Sequence, residues 1–88
     1  MTDEPWTYLV TPPARRDLRR LDRPIKRRIV DALDNFVANP RAGDTRKLAN
    51  SDEWRLRVGD WRVRFNFDDK THTIIVTRVL PRGRAYNR

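Results

Sequence analysis

Between Trp54 and Phe67 the chain reads W-R-L-R-V-G-D-W-R-V-R-F-N-F, with large apolar residues alternating with arginine on both sides of a glycine. A period of two marks a strand with one face buried. Gly59-Asp60, glycine first, has the composition of a two-residue type II′ hairpin turn. Such a turn puts Val58 opposite Trp61, Arg57 opposite Arg62, Leu56 opposite Val63, Arg55 opposite Arg64 and Trp54 opposite Phe65. One face then collects Trp54, Leu56, Val58, Trp61, Val63, Phe65 and Phe67, enough apolar surface to require a core above it. The other collects four arginines. Like charges facing each other across a ladder cost a few tenths to about 1 kcal/mol per pair, so the arginine face is expected to be open and to serve a ligand. Long arginine stems covering apolar neighbours on a solvated face are the plainer alternative.

The charge of the whole chain favours a ligand. Its 20 Lys and Arg stand against 12 Asp and Glu, a net charge of +8 and a pI near 11.2, which points to a polyanionic partner. Nucleic acid, an acidic protein and an anionic membrane all satisfy charge alone. Cysteine is absent and there is one histidine, His72. A disulfide framework, a thiol nucleophile and a Cys-type zinc site are therefore excluded, a lone histidine argues against a His-based metal site, and no metal or other cofactor is expected. No apolar run approaches the roughly 20 residues that span a bilayer, and the N-terminus M-T-D-E-P is acidic where a signal peptide would be basic. A soluble, cytoplasmic protein is expected. With no repeat and no low-complexity stretch, residues 1–88 read as a single domain.

Upstream of the hairpin, Trp6 to Thr11 reads as a short strand, with Tyr8 and Val10 on one side and Leu9 on the other. Thr11-Pro12-Pro13 ends it and starts a helix, where proline lacks only an N–H that the first turn does not use. That helix, from about Pro13 to Leu21, turns Ala14, Leu18 and Leu21 inward. Asp22-Arg23-Pro24 restarts a second helix to about Asn39, whose Ile25, Ile29, Ala32, Leu33, Phe36 and Val37 form one apolar stripe. Pro40 to Glu53 reads as a polar connection pinned by Leu48. After the hairpin, Asp68 to Thr71 makes a turn with His72 at the surface beside it. Thr73 to Leu80 is then a β-branched strand, followed by a basic tail. The order β-α-α-β-β-β describes an α+β domain: a two-helix hairpin on one face of a mostly antiparallel four-stranded sheet.

The helical hairpin, K-L-A-N at Lys47 to Asn50, W-R-L-R-V-G-D-W-R-V-R-F and V-L-P-R-G-R-A-Y at Val79 to Tyr86 together resemble the RelE/ParE toxin superfamily of bacterial type II toxin–antitoxin systems, in particular its RelE-like branch. The resemblance covers nearly the whole chain, and the W-R-L-R-V-G-D-W-R-V segment is its specific part. It implies a ribosome-dependent mRNA endoribonuclease that inhibits translation, with a cognate antitoxin as partner. By position, Arg55 and Arg57 match basic residues on the first hairpin strand, Arg62 the arginine after the turn, Arg82 the arginine after the last strand, and Tyr86 the tyrosine of an H-R-R-E-V-Y-like ending. Pro81, Gly83, Arg84 and Asn50 depart from the pattern, where histidine, a second basic residue, an acidic residue and glycine are usual. Asparagine at position 50 tolerates positive φ best among the alternatives to glycine.

Metal-free RNA cleavage requires the 2′-hydroxyl to attack the adjacent phosphate in line, with charge stabilised and the leaving 5′-oxygen protonated. Arginine forks serve the first need. This chemistry puts Arg62 on the scissile phosphate and Arg55 and Arg57 on the backbone, with Arg64, Arg46 and Lys47 completing the expected RNA-binding set. Arg82 is the candidate donor to the leaving group, although a pKa above 12 makes arginine a weak acid. Tyr86 either stacks on a base or acts as base toward the 2′-hydroxyl, with Glu53 and Asp60 as fallback carboxylates. A ParE-like inhibitor of DNA gyrase with the same fold, and a non-catalytic nucleic-acid-binding domain, are the alternatives.

Overall fold

The computed structural model describes residues 5–40 and 44–83. Its elements are β1 (Thr7–Val10), α1 (Pro12–Arg19), α2 (Arg23–Ala38), β2 (Thr45–Lys47), β3 (Trp54–Val58), β4 (Trp61–Asp68) and β5 (Thr73–Pro81). The strands form one sheet in the order β1-β5-β4-β3-β2, with β1 parallel to β5 and the other neighbours antiparallel. The α+β expectation holds, but the sheet has five strands, not four. The added strand, β2, lies inside the stretch read as a polar connection. Its three residues carry no apolar pattern, and backbone pairing to β3 alone defines them.

The hairpin register is the expected one, from Trp54 opposite Phe65 to Val58 opposite Trp61. Gly59 has φ +59° while Asp60 does not enter the left-handed region, as a type II′ turn requires. Arg28 of α2 also approaches this turn, its Nη2 lying 3.0 Å from where a Cβ on Gly59 would stand, but the end of an exposed arginine can yield, so it is the positive φ that selects glycine. Asn50 also takes a positive φ, +57°.

Both helices start where the prolines allow. Thr11 caps α1, its Oγ1 accepting from Ala14 N at 3.5 Å and donating to the Val76 carbonyl at 2.9 Å, so this cap also ties the helix to β5. Asp22 occupies the N-cap of α2 without a side-chain capping bond. The core joins Ala14, Ile29, Leu33 and Phe36 of the helices to Leu56, Val63, Phe65, Ile74, Val76 and Val79 of the sheet. Phe65 is fully buried and meets Phe36 and Phe67 edge-on, with ring centroids 5.1 Å apart in each pair. His72 is half-buried, not simply at the surface. It has φ +52° and stacks on Trp6 at 4.7 Å.

A bulge interrupts β4 and β5: Arg64 pairs with Arg78 and Phe65 with Val76, leaving Thr77 without an opposite residue. Burial along β5 shifts accordingly, so that Val76 and Val79, three apart, both face the core. An extra residue of this kind re-aims a side chain. Here Arg78 reaches α1, its Nε and Nη2 donating to Asp17 at 2.7 and 3.1 Å, while Val79 N donates to the same carboxylate at 2.9 Å. Burial pushes the Asp17 carboxyl up, but the hydrogen bonds from Arg78 and Val79 and the charges of Arg78 and Arg20 outweigh it and hold the group below its ordinary value. The stabilisation is therefore complete above the unfolded pKa of about 3.9 and is lost as pH falls through the lower folded value. Because the Arg78 side chain is 45% exposed, Asp17→Asn should cost only about 1–2 kcal/mol at pH 7. Denaturant titrations of wild type and variant should converge in strong acid.

Candidate nucleic-acid interface

Pairing across three strands aligns Arg46 with Arg55 and Arg55 with Arg64, while Arg57 faces Arg62. Five arginines thus share the sheet face away from the helices. Lys47 does not join them, because it pairs with Trp54 and follows the alternation of the core side.

The face is less open than expected. Arg62 is only 4% exposed and Arg55 9%. For Arg62 the cause is local: Nη1 donates to the Gly59 carbonyl at 2.8 Å and the Trp61 carbonyl at 2.9 Å, folding the guanidinium back over its own turn. Its Nε is buried with no hydrogen-bond partner among the described residues. Arg64 is held by Glu53, whose Oε1 lies against Nη2 and whose Oε2 accepts from Thr77 Oγ1 at 2.7 Å. Glu53 is thereby a counter-ion inside the arginine row, a role that its position before β3 did not reveal. Arg57 keeps a half-exposed side chain, 4.0 Å from Asp44, a separation at which a solvated pair contributes little.

The hairpin tip gathers more cations. Trp61 pairs with Pro81, and Arg82 N donates to the Asp60 carbonyl at 2.8 Å, so the end of β5 brings exposed Arg82 beside the turn that holds Arg62. Arg28 approaches Gly59 from α2. Of the residues proposed for catalysis, Arg62 and Arg82 are both anchored to this turn, Arg62 by its guanidinium and Arg82 by its backbone, whereas Tyr86, like Arg84, lies outside the described residues. Arg28 went unnoticed in the sequence because only the tertiary fold takes it to the turn. Such an arrangement can bind phosphate oxygens and stabilise added negative charge. Among the described residues, no helix is long and apolar enough to cross a membrane.

Two helices on a mixed sheet, with arginines massed on the opposite face and at one hairpin tip, make this a small basic α+β domain built to meet a polyanion. The chain belongs to the ParE toxin family of type II toxin–antitoxin systems, whose family model matches residues 8–86. Among solved structures it is similar to the RelBE2 toxin–antitoxin complex of Mycobacterium tuberculosis, with 28% identity over 90% of this chain and 100% of that one and a TM-score of 0.77. It is also similar to the archaeal RelE–RelB complex of Pyrococcus horikoshii OT3, with 25% identity over 92% and 99% of the two chains and a TM-score of 0.77. The isolated E. coli RelE toxin, at 18% identity over 93% and 92% and a TM-score of 0.72, shares the fold. No curated protein matches the chain.

Proposed function

We propose that this toxin is a RelE-like endoribonuclease that cuts mRNA on the translating ribosome in the cytoplasm. The observation that carries this reading is that the Gly59-Asp60 turn anchors both Arg62, through the Gly59 carbonyl, and the backbone of exposed Arg82, through the Asp60 carbonyl, at the end of a sheet face rich in arginine that includes exposed Arg57. In this mechanism the RNA 2′-oxygen attacks the adjacent phosphorus and the bond to the 5′-oxygen breaks, leaving a 2′,3′-cyclic phosphate and a 5′-hydroxyl. Exposed Arg57 and Arg46 hold the backbone, while buried Arg55 adds positive potential from within the row and Arg64 is fixed beside it by Glu53. Arg62 stabilises the charge on the phosphoryl oxygens after exchanging its two carbonyl acceptors for phosphate, and Arg82 faces the leaving oxygen. Tyr86 completes the set as a base or a stacking platform. Individually weak acid–base groups leave most of the rate to positioning and electrostatics, which accounts for dependence on a ribosome and predicts slow cleavage of free RNA.

The RelE neighbours were solved in complex with RelB, and the +8 charge suits a cognate antitoxin whose acidic segment covers this basic surface. The match to the ParE family model favours a second reading, inhibition of DNA gyrase. Induced expression in bacteria with mapping of mRNA 5′ ends on ribosomes separates the two. New ends phased to codons are expected; growth arrest with intact mRNA would transfer the assignment to gyrase.

A further inference from the structure

Residues 15–28, which span α1 and the start of α2, carry eight Lys and Arg against Asp17 and Asp22. Asp17 is already committed to Arg78. Among the described residues none of the eight cations forms a salt bridge, and all but half-buried Lys26 are exposed. The spacing makes this costly. Arg15 and Arg19 are i,i+4 neighbours on α1, as are Arg23 and Arg27 on α2, and like charges at that spacing destabilise a helix by about 0.2–0.5 kcal/mol each. Two acids stand at the complementary spacing, Asp22 four residues before Lys26 and Asp31 four after Arg27, too few to offset eight cations. Arg23, Lys26 and Arg27 line a shallow cleft of about 290 Å³ with Val30 and Asp31.

This surface is continuous with the candidate interface. Arg28, next along α2, reaches the Gly59 turn from the helix side, while Arg62 grips the Gly59 carbonyl from the sheet side and Arg82 adjoins Asp60. We propose that the face of α2 bearing Arg23, Lys26 and Arg27 is a second binding surface for the phosphate backbone of folded RNA, which crosses the hairpin tip between the sheet and the helices. The inference rests on RNA as the partner in the proposed function but not on cleavage. Asp60 is the acidic residue at the crossing point and Asp31 the one in the cleft, so each opposes the partner.

Binding is measured by fluorescence anisotropy on the purified full chain, using a labelled, fully 2′-O-methylated RNA stem-loop that lacks the attacking hydroxyl, across a series of KCl concentrations. Binding therefore succeeds or fails independently of cleavage. Arg27→Ala should lower the slope of log Kobs against log[KCl] by about 1, and Arg23→Ala with Arg27→Ala by about 2; alanine preserves the helix. Lys70→Ala, on the β4–β5 turn, should leave the slope unchanged, and Asp60→Asn should tighten binding. An unchanged slope in the double variant while Arg57→Ala lowers it overturns the proposal. So do equal losses with Lys70→Ala, tighter binding of a duplex DNA of equal length, and failure of the wild type to bind the RNA.

Discussion

Arg62→Ala is expected to lower the rate of mRNA cleavage on ribosomes by about 100- to 1,000-fold, the usual effect of removing one preorganised donor to a developing oxyanion, and to abolish growth arrest. The residue is nearly buried at 4% exposure and clasps the Gly59 and Trp61 carbonyls, so the loss has two separable parts. One is the guanidinium that meets phosphate; the other is the set of a turn on which Arg82 also depends through Asp60. Arg62→Lys separates them, because it keeps the positive charge but not the planar fork. If phosphate recognition dominates, lysine recovers part of the rate; if the clasp dominates, both variants lose activity and thermal stability together. Full cleavage by Arg62→Ala, with new mRNA ends as abundant as in wild type, would remove this arginine from the chemistry. The test is sharp because the Nε, buried without a hydrogen-bond partner among the described residues, leaves the guanidinium with a donor that phosphate can satisfy.

Patterns that repeat along the chain were legible without the structure. The alternation around Gly59-Asp60 yields the register of β3 and β4 residue by residue, because a two-residue turn leaves no freedom in the pairing. Proline placement located the starts of both helices, and the stripe on α2 identified Ile29, Leu33 and Phe36 as core. Strand β2 was illegible for the complementary reason: Thr45-Arg46-Lys47 is a strand only because β3 offers it a free edge.

The site was only half legible. Alternation established that the arginines share a face, but not whether they are exposed, since burial there depends on acceptors that the sequence does not advertise. Arg62 turns inward onto backbone carbonyls, and Arg64 is neutralised by Glu53, eleven residues away along the chain and adjacent only through the hairpin. That Lys47 stands off the arginine face was not legible either, because its side follows from pairing within β2, an unseen strand. The bulge that frees Arg78 for Asp17 leaves no compositional trace in an otherwise regular β-branched run.

Phe65→Ala should be the most destabilising single replacement in the sheet, costing about 3–5 kcal/mol. Phe65 has no exposed surface, lies at the centre of β4 and meets the rings of Phe36 from α2 and Phe67 from its own strand. The cavity left behind would lie between helix and sheet, where neither can close on it without breaking the ladder. A domain of this size lies toward the lower end of the usual stability range of about 5–15 kcal/mol, so such a loss removes much of its margin. In urea the midpoint should fall by about 2 M or more with little change in slope. Leu9→Ala provides the contrast: Leu9 is 55% exposed on the outer strand, and its loss should stay within about 0.5 kcal/mol. Equal shifts for the two variants would mean that the helices are not packed on the β4 face as described. The same packing carries Arg28 to the hairpin tip, so Phe65→Ala should also weaken binding of the 2′-O-methylated RNA at temperatures where the variant is still folded.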